Sequence, residues 1–243
     1  MELQGLTIGI LKEIMENENR VAGIPETVKK MVDNGAKVLV ESGAGLGSFY
    51  TDADYKNAGA EIINDPERIY NSADAILKVK EPLMNEAKNK HEVDMMKSNQ
   101  VLISFLHPSN PINHDMVKKL AQKGVIGFSL DCIPRISRAQ SMDALTSMST
   151  VAGYKAIISA ACRLPKFIPM ITTAVGMFRP AIVFVVGTGV AGLQSLATAK
   201  RLGAEIYAAD VRPDAVEQSK SLGAKIIDTG VPPEIAIGEG GYA

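Results

Sequence analysis

The chain reads as an α/β protein of two parallel-sheet domains joined by a helical connector, the second sheet incomplete within its 243 residues. Three observations carry that reading. Through the N-terminal half, short β-type runs alternate with amphipathic helical stretches, the pattern of parallel βαβ units whose sheet is covered on both faces. A helical period then runs from Ser141 to Leu164. After it, Ala181-Ile-Val-Phe-Val-Val186 is an unbroken apolar run, as expected for a central parallel strand, and a glycine-rich turn follows at once.

Along the chain the β-type runs are Leu6–Leu11, Lys37–Glu41, Glu61–Ile63, Ala75–Val79, Val101–Phe105 and Val125–Ser129. No basic leader precedes the first, so it reads as a strand rather than a signal peptide. Pro25–Asn34 starts on a proline, whose fixed φ suits the first helical position, and stops before Gly35. Thr51 precedes a helix over Asp52–Asn57 with Asp54 at the capping-box spacing. Helices over Glu86–Lys97 and Asn113–Lys123 complete the N-terminal half. In the C-terminal half, a helix to Leu202, a strand over Glu205–Asp210, a helix over Asp214–Leu222 and a strand over Ala224–Ile227 follow the apolar run.

These elements divide the chain into residues 1–134, a connector over 135–164 that Gly153 interrupts, and 165–243. A mononucleotide-binding half has about three strands, and from Ala181 the sequence supplies one such half, so a truncated second domain is expected. Gly238-Glu-Gly-Gly-Tyr-Ala243 reads as a mobile loop.

Charge excludes some functions. Lys and Arg total 26 against 27 Asp and Glu, leaving no basic field to draw nucleic acid or anionic lipid. No apolar stretch approaches the ~20 residues that span a bilayer. Cys132 and Cys162 match no metal spacing and read as small buried apolar groups in a reducing compartment.

Two motifs carry chemistry. Gly187-Thr-Gly-Val-Ala-Gly192 follows a buried-type strand and opens a helix, and Asp210 closes the next strand. Gly187 suits the tight turn, Gly189 and Val190 the approach of a pyrophosphate to the helix start, and Gly192 close helix–strand packing. Asp210 would accept hydrogen bonds from ribose hydroxyls and repel a 2′-phosphate, which favours NAD(H) over NADP(H). Arg212 stands close enough to accommodate that phosphate. Both domains are therefore Rossmann-like, the second binding NAD(H). The other motif, Pro134-Arg-Ile-Ser-Arg-Ala-Gln-Ser-Met-Asp143, packs Arg135, Arg138, Gln140 and Asp143 between apolar segments. Such groups face a cleft or brace a hinge, because burying them unpaired costs several kcal/mol.

Two strand ends and one arginine add candidates. Lys78 and Lys80 end one strand and His107 another, at the edge where parallel sheets form sites; solvated lysines and a structural histidine remain the alternatives. Arg20 either clamps a carboxylate or pairs with Glu16 or Glu18. Ser42-Gly-Ala-Gly-Leu-Gly47 lacks a matching acid and reads as a connecting loop.

The 134–145 wording, with Val-Ala-Gly-Tyr at 151–154, resembles domain I of the proton-translocating NAD(P) transhydrogenases, the NAD(H)-binding part of their α subunit. The glycine motif, Ala-Lys-Arg-Leu-Gly-Ala, Ala-Asp-Val-Arg and Gly-Glu-Gly-Gly-Tyr-Ala match as well, so the resemblance covers nearly the whole chain. It implies that Arg135 contacts the nicotinamide side of NAD(H), that Gln140 reaches toward the NADP(H)-binding component, and that Asp143 orients the carboxamide. Thr146 stands where that family has a serine, keeping the hydroxyl. Asp210 matches the ribose-binding acid and Tyr242 the tyrosine of a loop that closes over nucleotide. It further implies NADP(H) on a partner component, a membrane-spanning partner, a homodimer formed through the apolar stretch Pro165–Phe178, and a cytoplasmic place on the inner face of the plasma membrane. The related alanine dehydrogenases correspond at Arg20, Lys80 and His107. Lys80 departs from transhydrogenases, which often carry an uncharged residue there. An amino-acid oxidoreductase and a non-catalytic NAD-binding module are the competing readings.

Overall fold

The computed structural model describes residues 2–134, 136–232 and 235, in two compact units, Met1–Met142 and Asp143–Ala243. In the first, β1 (Thr7–Ile10), α1 (Pro25–Asp33), β2 (Lys37–Glu41), α2 (Asp52–Asn57), β3 (Glu61–Ile63), α3 (Pro66–Ser72) and β4 (Ala75–Leu77) follow one another. A hairpin of β5 (Met84–Asn85) and β6 (Lys90–His91) precedes α4 (Glu92–Met95), β7 (Val101–Ser104), α5 (His114–Lys123) and β8 (Ile126–Ser129). The main sheet is parallel throughout, in the order β3-β2-β1-β4-β7-β8. Counted along the chain this is 3-2-1-4-5-6, the order of a dinucleotide-binding fold, with its switch point between β1 and β4.

Strand alternation divides the core between the two faces. Val38 and Val40 of β2 pack with Val28 and Tyr55, whereas Leu39 packs with Ile69, Ile76 and Leu102. The capping box on α2 forms as expected: the Thr51 hydroxyl accepts from Asp54 N–H, and the Asp54 carboxylate accepts from Thr51 N–H at 2.7 Å.

Residues 86–97 depart from the expected helix. The chain turns instead through the β5–β6 hairpin, with Asn89 in the left-handed region at φ 48, and only one turn of helix follows. The cause is tertiary: Glu92 is drawn inward to the buried Lys78 and Tyr70. The short α3 is an addition, capped by Asp65, whose carboxylate accepts from Glu67 N–H, with Pro66 at its first position.

The second unit comprises α6 (Ala144–Arg163), a hairpin of β9 (Ile171–Thr173) and β10 (Gly176–Phe178), then β11 (Ile182–Val186), α7 (Val190–Arg201), β12 (Glu205–Ala209), α8 (Pro213–Ser221) and β13 (Lys225–Ile226). The last three strands make a parallel sheet in chain order. α6 runs unbroken through Gly153, so that glycine is no interruption. A Cβ there would stand 2.1 Å from the carbonyl oxygen of Ala191, and the Ser195 hydroxyl donates to the Gly153 carbonyl at 3.0 Å. The glycine lets two helix backbones touch. Cys132 and Cys162 are both exposed, not buried: one follows the β8 strand end, the other lies on the open side of the last turn of α6.

Candidate functional site

In the second unit, β11 runs into Gly187, which takes φ 82 and donates its N–H to the Ala209 carbonyl at 2.8 Å. That left-handed turn is open to glycine at little cost. α7 then starts at Val190, with Gly189 as its N-terminal flank. A Cβ on Gly192 would stand 2.1 Å from the Gly187 carbonyl oxygen, so any side chain would push the helix off the turn.

Beneath this turn lies the Asp210 carboxylate, only 5% exposed. Its Oδ2 accepts from the Thr188 N–H at 2.6 Å and from the Thr188 hydroxyl at 3.2 Å. Arg212 donates its backbone N–H and Nε to Oδ1, at 2.9 and 3.2 Å, and Nη2 to Oδ2 at 3.2 Å. Burial pushes this carboxyl up, but the Arg212 and Thr188 donors outweigh it and hold the pKa at about 2. The structure thus brings Gly187, Gly189, Val190, Gly192, Asp210 and Arg212 together. The arrangement fits a dinucleotide: helix N–H groups face a bare glycine turn, and an ionised acid stands at the neighbouring strand end. Thr188, which locks that acid to the turn, is not legible from the motif, where it fills a variable position.

Asp143 caps α6, accepting from the Thr146 N–H at 2.8 Å and the Thr146 hydroxyl at 2.7 Å. Gln140 is exposed in the 3₁₀ turn Ser137–Met142 of the first unit. Arg135 and Tyr242 lie outside the described residues.

The first unit gathers a second cluster at the carboxyl edge of its sheet, around the switch point. Lys78 is buried, its Nζ 2.9 Å from Glu92 and 3.4 Å from Glu13. Burial disfavours the charged lysine, yet the two carboxylates overcome it and raise its pKa; burial raises that of Glu13. Lys78 is therefore structural. Lys80 faces the site instead: its Nζ is 3.0 Å from His107 Nε2 and 3.2 Å from Glu81 Oε2. Glu81 Oε2 is buried and accepts no hydrogen bond, its contact with Lys80 being ionic. His107 holds φ 45, in the left-handed region. Asp131 secures it, accepting the N–H groups of Leu106 and His107 at 2.9 and 2.8 Å, the Ser129 hydroxyl at 2.8 Å, and standing 2.8 Å from His107 Nδ1. Against burial, these contacts depress the Asp131 pKa. Arg20 is paired with Glu18 at 2.7 Å. Asp131 and Glu13 are absent from the sequence-based candidates, although both sit just past strand ends of this same sheet. Among the described residues no cluster of His, Cys, Asp or Glu could hold a metal ion.

Comparison with known proteins gives the family. Residues 9–152 match the family model "Alanine dehydrogenase/PNT, N-terminal domain", and 156–239 the corresponding C-terminal domain. The chain is 44% identical over 222 residues to an NAD(P) transhydrogenase alpha-subunit protein of Rhodospirillum rubrum, covering 91% of this chain and 57% of that protein. It is 36% identical over 209 residues to the alanine dehydrogenase of Methanococcus maripaludis, covering 85% of this chain and 53% of that one. Among solved structures, transhydrogenase from Sinorhizobium meliloti superposes with a TM-score of 0.85 at 44% identity, over 92% of this chain and 62% of that one. The chain thus spans little more than half the length of these relatives. With both domain models matched across two Rossmann-like sheets, the chain belongs to the alanine dehydrogenase/PNT family.

Proposed function

We propose that the chain is the NAD(H)-binding component of a proton-translocating NAD(P) transhydrogenase. It would exchange hydride with NADP(H) held on a partner component, coupled to proton movement through a membrane-spanning partner. The observation that carries the nucleotide assignment is Asp210, ionised and fixed by Thr188 directly beside the glycine turn. There it accepts ribose hydroxyls and repels a 2′-phosphate. The greater identity to the transhydrogenase relative than to the alanine dehydrogenase supports the choice between branches.

Bound NAD(H) supplies or takes up the hydride. By resemblance to that family, Arg135 would contact the nicotinamide, Asp143 with Thr146 would orient its carboxamide, Gln140 would reach toward the partner, and Tyr242 would close over the nucleotide. Hydride exchange between two nicotinamides needs apposed rings and excluded water, and little acid–base machinery. No described helix is long and apolar enough to cross a membrane; in this reading the membrane partner holds the chain at the cytoplasmic face of the plasma membrane.

The test is equilibrium titration with NADH and NADPH. NADH should bind more tightly, and Asp210→Ala should weaken NADH far more than NADPH; equal affinities in the unaltered chain would contradict the assignment.

The Lys80–His107–Asp131 cluster supports a second reading, an alanine dehydrogenase-type enzyme, because a cation beside a held imidazole suits carboxylate binding and proton relay. That reading requires NADH oxidation dependent on pyruvate and ammonia without a partner, abolished by Lys80→Ala or His107→Ala.

A further inference from the structure

The ribose seat on Asp210 is already filled from within the chain. Two of its contacts, from the backbone N–H groups of Thr188 and Arg212, hold the carboxylate in place and need not change when a ligand arrives. The guanidinium contacts differ. Nε and Nη2 take one oxygen each, the same pair of acceptors that two ribose hydroxyls would use. The carboxylate side chain is 5% exposed while that of Arg212 is 30% exposed, so the acid is buried and its arginine partner reaches solvent. Nη2 also stands 3.9 Å from the place a Cβ would take on Gly189, which sets the cation beside the turn reserved for pyrophosphate.

We propose that Arg212 is a latch, its guanidinium occupying the ribose-hydroxyl seat on Asp210 until the adenosine ribose of NAD(H) displaces it. The proposal rests on the NAD(H) reading above. Entry of the nucleotide exchanges two charge-assisted N–H donors for two hydroxyl donors, so opening the ion pair subtracts from affinity. Once displaced, the guanidinium remains near the ribose and gives a 2′-phosphate a cationic partner that Asp210 alone would deny it. Arg212 therefore weakens NAD(H) binding and blunts discrimination against NADP(H), and is a specificity-determining residue with opposite effects on the two nucleotides.

Titration of the chain and of its Arg212→Ala and Arg212→Gln variants with NADH and NADPH tests this. Release of one partly exposed ion pair should tighten NADH by roughly two- to fivefold in Arg212→Ala. NADPH should bind that variant more weakly, so the preference for NADH widens. Arg212→Gln, which keeps donors but loses the charge, should fall between. NADH binding that weakens in Arg212→Ala, or a preference left unchanged, would overturn the latch while sparing the nucleotide assignment. Failure of all three proteins to bind NADH would overturn the assignment itself and the latch with it.

Discussion

Asp210 is held by Thr188 and Arg212, and in the proposed reading the same side chain also recognises ribose. Its folded-state pKa lies below the ordinary aspartate value, so the stability it contributes is complete above that value and is lost as pH falls toward about 2. Asp210→Asn should cost about 1 kcal/mol at pH 7, the scale of a partly exposed ion pair with its hydrogen bonds. In urea unfolding the gap from the parent protein should close as the pH approaches 2; a gap that does not depend on pH would contradict the ion pair. Asp210 is legible because its role follows from sequence spacing after a glycine motif. Its partner Thr188 is not, because nothing local distinguishes it from the other variable positions of that turn. The same holds for Asp131: its hold on Leu106 and His107 spans β7 and β8, and only the sheet brings those strand ends together.

At the scale of elements, local signals decide what can be read. The strand Lys37–Glu41 and the helix Asp52–Asn57 have the bounds expected for them, since apolar runs, a capping box and flanking glycines specify them without help. Residues 86–97 depart from expectation because Glu92 belongs to a buried ion cluster, a demand that helical periodicity cannot express. Gly153 has the look of a break, whereas it is where α6 admits the backbone of α7. Gly153→Ala decides between these views. Helix propensity favours the alanine by about 1 kcal/mol, while overpacking against backbone typically costs about 1–3 kcal/mol, so a net loss of stability is expected. A raised melting temperature would refute the close crossing. The β9–β10 hairpin leaves Val175 93% exposed, with Met177 and Phe178 beside it. Phe167 packs edge-on against Phe178 at 5.9 Å. As a homodimer contact, which the exposed apolar surface supports, it should sediment as a dimer at micromolar concentration, and Val175→Asp should give monomers with an unchanged circular dichroism spectrum. A monomeric parent would remove the proposal.

For the whole molecule, the alternation of strands and helices makes the α/β class legible, and the six-stranded parallel sheet bears it out. The strand ends also place Lys80 and His107 at the carboxyl edge of that sheet, whereas Asp131, which joins them there, is not legible from the alternation. In the proposed reading transhydrogenation would use the glycine turn and Asp210, with the 135–146 segment; amino-acid oxidation would use the cluster in the first unit. The decisive measurement is hydride exchange between NADH and an NADP analogue, with the protein mixed with a matching NADP(H)-binding component. Exchange should occur, slow strongly in Arg135→Ala and Gln140→Asn with little loss of NADH affinity, and stay nearly unchanged in Lys80→Ala and His107→Ala. Absence of exchange, together with pyruvate- and ammonia-dependent NADH oxidation by the chain alone, would contradict the account.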